Sequence, residues 1–87
     1  MPSKPFANPI ARRAAMLCND ARFQRFAAER EGFDGGQFSG EASAEFLRRW
    51  CRIDSRRELD TTPAAARRFD TLRTEFDAWT GRIGPQR

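Results

Sequence analysis

Apolar residues recur three and four positions apart in several segments of the chain, which is the spacing of one face of an α-helix. The longest such stripe lies near the C-terminus and consists of Phe69, Leu72, Phe76, Trp79 and Ile83. Thr62 and Pro63 stand before it as an N-cap and a first helical residue, and Gly81 stands near its end, so we predict a helix between them. Barely two heptads are too few for a coiled coil, which favours a stripe that faces a core.

A second stripe predicts a helix from about Glu41 to Arg52, which Ser39 starts. At about 100° per residue, its apolar side carries Phe46, Leu47, Trp50 and Cys51, and its polar side carries Arg48, Arg49 and Arg52. Ser55 and Glu58 then have the spacing of a capping box. We expect this box to open a short helical turn that ends near Asp60.

Two shorter helices are predicted in the N-terminal half. The first runs from Pro9 to Cys18 with Asn8 as its N-cap, and the second runs from Ala21 to about Glu31 with Asp20 as its N-cap. Its apolar stripe is Phe23, Phe26 and Ala27. Gly32 is a plausible stop, and a Gly-rich loop follows it as far as Gly40.

The fold class that follows is all-α, because Val and Tyr are absent while residues that favour helices are plentiful. At 87 residues the chain has room for one domain. We predict a compact bundle of four to five short helices over residues 8–81, with a flexible N-terminal arm (1–7) and a loose tail (82–87). Trp50 and Trp79 are expected to be buried, with Trp50 near the final helix.

Composition excludes much chemistry. The chain has no His, so imidazole catalysis and His metal ligands are ruled out. Cys18 and Cys51 cannot make a four-ligand zinc site alone, and we expect them to be buried small hydrophobes. No catalytic residue, metal or cofactor is therefore expected. No apolar run approaches the roughly 18 residues of a membrane span, and no signal peptide is visible, which favours a cytoplasmic location.

The strongest functional feature is a basic block, defined as Arg48, Arg49, Arg52, Arg56 and Arg57, in a chain of net charge +4. Such a block suits a phosphate backbone. The alternative is a solvated face whose charge is balanced by Glu41, Glu45, Asp54 and Glu58. Codon usage in a GC-rich genome would also explain why 15 of the 16 basic residues are Arg.

The Gly-rich loop carries two phenylalanines, Phe33 and Phe38. Either they pin the loop onto the core, or they form an exposed pair that binds a partner or stacks on bases. Phe6, in the arm, is a further aromatic residue that the core can spare. Together with Arg22 and Arg25 of the second helix, Phe33 and Phe38 are candidate partner-binding residues.

Three segments resemble a small protein type that recurs in bacteriophage and prophage genomes: LCNDARFQRF (17–26), EFLRRWCRIDSRREL (45–59) and FDTLRTEFDAW (69–79). Similar reading frames tend to lie near recombination and single-strand-annealing genes. The resemblance implies an accessory to phage recombination or replication that binds DNA or a nucleoprotein complex. It carries no assigned site residues.

Three functions remain open from the sequence. The first is that DNA-associated accessory, acting without enzymatic activity through the basic block. The second is an inhibitor of a host defence or nuclease complex, like an anti-CRISPR protein, which would bind a protein partner through the same Arg face. The third is a small structural protein that forms homodimers or larger oligomers.

Overall fold

The computed structural model describes residues 9–81 and shows an all-α bundle, which confirms the predicted fold class. Four α-helices and one 3₁₀ helix make up this part of the chain: α1 (Ile10–Cys18), α2 (Ala21–Arg30), α3 (Gly40–Cys51), the 3₁₀ helix (Arg56–Asp60) and α4 (Pro63–Trp79). The predicted arm, with Phe6 and Asn8, and the predicted tail, with Ile83, lie outside the described residues.

Three of the predicted caps are confirmed. The Asp20 carboxylate accepts the backbone N–H of the second residue of α2 at 2.8 Å. The Ser39 hydroxyl accepts an N–H from the first turn of α3 at 3.0 Å. Ser55 and Glu58 form the capping box of the 3₁₀ helix, in which Glu58 Oε2 accepts the Ser55 N–H at 3.0 Å. Each cap satisfies backbone donors that the first turn of a helix leaves without partners.

The start of α1 differs from the prediction. The helix begins at Ile10, and Pro9 occupies the N-cap position in place of the first helical position. Pro9 has no side-chain group that can accept a hydrogen bond, and Asp60 supplies one instead. Its Oδ1 accepts the N–H of Ile10 at 2.7 Å and that of Ala11 at 3.4 Å. The first helix is therefore capped by a residue 50 positions further along the chain.

Every helix contributes to one aromatic core. The rings of Phe23, Phe26, Phe46 and Phe76 pack with centroids 5.4–6.2 Å apart, mostly edge to face. The remaining buried large side chains of this core are Leu17, Leu47, Ile53, Leu59, Phe69 and Leu72. The stripe of α4 thus faces inward from Phe69 to Phe76, as predicted.

The two tryptophans differ in burial. Trp50 is partly buried and donates its indole N–H to the Arg68 carbonyl of α4 at 3.1 Å, which confirms its position near the final helix. The expectation that Trp79 is buried is wrong, because 40% of this residue is exposed. Its ring stacks on Phe76 and meets Phe26 edge to face, but the indole N–H bonds the Glu29 carboxylate at the exposed end of α4. The helical period therefore continues past the end of the core.

Cys18 and Cys51 are both buried and not joined in a disulfide, as expected. Burial raises the pKa of each thiol, that of Cys51 to about 11. The charge of a Cys18 thiolate contributes, after burial, to the rise in the pKa of Cys51. Cys18 is the last residue of α1 and Cys51 is the last residue of α3, and both belong to the core.

Candidate anion-binding surface

Among residues 9–81, no three His, Cys, Asp or Glu residues are grouped so as to hold a metal ion. No helix in the same range is long and apolar enough to cross a bilayer. The charged surfaces that arginine builds are the candidate functional features.

The basic block lies where α3 ends and the 3₁₀ helix begins. Arg48 and Arg49 are in the last turn of α3, and Arg56 and Arg57 open the 3₁₀ helix. Arg52 ends α3 in the left-handed region, with a φ of 61°. The helix ends there, so the two halves of the block come from consecutive elements of the chain.

Arg48 and Arg56 meet in a groove between the end of α1, the start of α3 and the 3₁₀ helix. The groove has a volume of about 430 Å³, and its floor includes the buried Cys18. Both arginines are half-buried. Burial raises the pKa of the Cys18 thiol, while a hydrogen bond from Arg56 and the charges of Arg56 and Arg48 act in the opposite direction. Arg48, Arg56 and Cys18 therefore line the same groove.

Arg49 is directed to another neighbour. Its Nη2 lies 3.3 Å from Oε1 of Glu31, the residue that ends α2. The structure therefore brings Arg48 and Arg56 together and separates Arg49 from both of them. Arg52 and Arg57 are exposed and do not line the groove.

Among residues 9–81, none of the acids expected to balance the block forms an ion pair with it. Within the described chain, Arg49 is its one member with a carboxylate within ion-pair distance. Glu58 accepts the backbone N–H groups of Asp54 and Ser55, so its charge serves the capping box. Glu41 and Glu45 lie on the same solvent side of α3 but form no ion pair with the block. The positive charge of the other four arginines is therefore available to a ligand.

Phe33 and Phe38 have different environments. Phe38 packs against the core, whereas 61% of Phe33 is exposed, and their ring centroids are 5.9 Å apart. The backbone N–H of Phe38 bonds the Gln24 carbonyl of α2 at 3.1 Å, and that of Phe33 bonds the Ala28 carbonyl at 2.8 Å. The loop is therefore fastened along α2 through Phe38, and it presents Phe33 to solvent.

Arg22 and Arg25 are exposed on α2, and Arg22 forms an ion pair with Asp20 at 3.3 Å. Arg22 also lines a groove of about 360 Å³ with Arg13 of α1 and Arg73 of α4. Sequence reasoning missed this groove. It joins arginines 60 residues apart in the chain, and no local motif marks such a contact.

The chain was also compared with known proteins. No protein-family model, no curated protein and no solved structure matches it.

Proposed function

We propose that this protein is a non-enzymatic accessory to phage DNA recombination or replication. It would bind DNA, or a nucleoprotein complex, in the cytoplasm of the bacterial host through the basic block. The observation that carries this proposal is the set of four arginines, Arg48, Arg52, Arg56 and Arg57, without carboxylate partners in the described chain.

Arginine suits this function because its planar guanidinium donates two hydrogen bonds to a phosphate and keeps its charge at every physiological pH. Each phosphate that a protein neutralises releases condensed counterions, which adds about −0.9 to the slope of log K against log salt on duplex DNA. Two exposed arginines that contact phosphate should therefore account for about 2 units of that slope. Binding of this kind is largely independent of base sequence.

The test is a fluorescence titration with labelled single- and double-stranded DNA at several salt concentrations. R52Q/R57Q removes two exposed charges from the block, and the control R12Q/R67Q removes two exposed charges outside it. We expect the first variant to bind more weakly, with a salt slope reduced by about 1–2, and the control to resemble the native protein. Equal losses in both variants, or no binding of either DNA at low salt, would overturn the proposal.

The exposed ring of Phe33 favours a second candidate, in which the partner is a protein. Exposed aromatic residues are enriched at protein interfaces. The partner would be a host defence or nuclease complex, as for an anti-CRISPR-like inhibitor, or a second copy of the chain. Sedimentation velocity tests the second copy: a mass that doubles with concentration, and stays monomeric in Phe33→Ser, supports it. A monomer at all concentrations contradicts it.

A further inference from the structure

We infer that the groove lined by Arg48 and Arg56 binds a phosphate group, as free phosphate or as the terminal phosphomonoester of a DNA strand. This inference deepens the proposed DNA binding and rests on it for the source of the phosphate. It assigns these two arginines a recognition role that Arg52 and Arg57 do not share.

Two positive charges, those of Arg48 and Arg56, converge in the groove. Arg48 comes from the last turn of α3 and Arg56 from the first residue of the 3₁₀ helix, and both line the groove together with Cys18. Two guanidinium groups in one concave site repel each other unless an anion lies between them. Neither group has a carboxylate within ion-pair distance among residues 9–81. An anion in the groove would remove this repulsion.

The rest of the groove lining is almost entirely uncharged. Its neutral members are Ala15, Cys18, Asn19, Gly40 and Ala44. The raised pKa of Cys18 keeps its thiol neutral at physiological pH, so the floor does not repel an anion. Glu41 is the one acid in the lining and is exposed to solvent, where water screens its charge. The two arginines therefore dominate the potential within the groove.

The groove has the size and the solvent access that a phosphate group requires. A groove of about 430 Å³ is large enough for a phosphate together with the sugar that carries it. Both arginines are half-buried, which limits the screening of their charges by water and holds their side chains in place. The exposed Arg52 and Arg57, by comparison, suit the backbone of a longer strand. The groove is therefore the part of the block best suited to a doubly charged terminal phosphate.

The experiment is an NMR titration of the ¹⁵N-labelled protein with inorganic phosphate, compared with chloride at equal ionic strength. We expect phosphate alone to shift the backbone amides of Ala15, Asn19 and Gly40 and the side-chain Nε–H signals of Arg48 and Arg56. Arg56→Gln should weaken the phosphate affinity about tenfold or more, because it removes charged hydrogen bonds. Arg12→Gln, an exposed charge on α1, is the matched control and should leave the affinity unchanged. If Arg56→Gln fails to fold, Arg56→Lys replaces it, with a smaller loss expected.

A second arm identifies the source of the phosphate. Two oligonucleotides of one sequence are compared, with and without a 5′-phosphate. Tighter binding of the phosphorylated strand, lost in Arg56→Gln, supports recognition of a DNA end. Shifts with phosphate but no preference between the strands support a free anion and overturn the DNA end.

The two arms also separate this inference from the proposed function. DNA binding with no phosphate-specific shifts in the groove overturns the inference and leaves the proposed function standing. Phosphate binding in the groove with no DNA binding supports the free-anion form of the inference and overturns the proposed function.

Discussion

The cap that Asp60 provides for α1 allows a quantitative prediction. Asp60 Oδ1 accepts two N–H groups of the first turn, at 2.7 Å and 3.4 Å. Loss of an N-cap side chain costs about 0.5–2 kcal/mol. The negative charge of Asp60 at the N-terminus of α1 should stabilise the helix dipole by about 0.3–1 kcal/mol. We therefore expect Asp60→Ala to lower the free energy of unfolding by about 1–2 kcal/mol.

The effect is large for a small domain, because a chain of this length is stabilised by only about 4–13 kcal/mol. A loss of 1 kcal/mol lowers the Tm by about 4–8 °C. Asp60→Asn keeps an acceptor and loses the charge, so it should cost only about 0.3–1 kcal/mol. Urea unfolding followed by circular dichroism measures both variants. Hydrogen exchange should show faster opening at Ile10 and Ala11.

The control is Asp34→Ala, which removes an exposed loop carboxylate that accepts no hydrogen bond within the described chain. It should change the free energy of unfolding by less than about 0.5 kcal/mol. If Asp60→Ala is no more destabilising than Asp34→Ala, the contact across 50 residues does not cap α1, and the reasoning is refuted.

Two further predictions concern the interior. Ser43 is fully buried, and its hydroxyl has no hydrogen-bond partner in the described chain. Ser43→Ala should therefore raise the free energy of unfolding by about 1 kcal/mol, which is measured as a higher urea midpoint. A lower midpoint would contradict this prediction. The Cys51 thiol loses its proton near pH 9 when unfolded and at about 11 when folded, so the unfolded chain binds fewer protons between these values and the free energy of unfolding should fall as pH rises. Urea midpoints from pH 8.5 to 11 measure this fall. Cys51→Ala should make the fall shallower, and Cys18, whose pKa is also raised by burial, contributes to the remainder. An equally steep fall in Cys51→Ala would contradict the prediction.

Helix starts were predictable from the sequence where the capping side chain stands beside the helix that it caps. Asp20, Ser39 and Ser55 all satisfy this condition. The cap of α1 was not predictable, because Asp60 approaches Ile10 only after the 3₁₀ helix has packed against α1. The exposure of Trp79 was equally hidden, since periodicity gives the side of a helix but not the point at which the core ends.

The sequence predicted which arginines form the candidate site, but not that Arg48 and Arg49 approach different neighbouring elements. The sequence places Arg48 and Arg49 on one polar side of α3, and both are directed away from the core. The 100° between them is enough to bring Arg48 near α1 and the 3₁₀ helix and Arg49 near the end of α2. Which elements flank α3 is a tertiary property, and a helical pattern does not contain it.

Because Arg52 has a left-handed backbone, the residue that would make the end of α3 most stable differs from the residue that gives the basic block its charge. A residue with a β-carbon costs roughly 1 kcal/mol or more in this conformation, whereas glycine adopts it freely. A single-nucleotide change converts every arginine codon to a glycine codon. Selection for stability alone would therefore favour Arg52→Gly, and the same change would remove a cation from the basic block. Related sequences that keep arginine here would have retained the charge of the proposed binding surface at the expense of a more stable helix end.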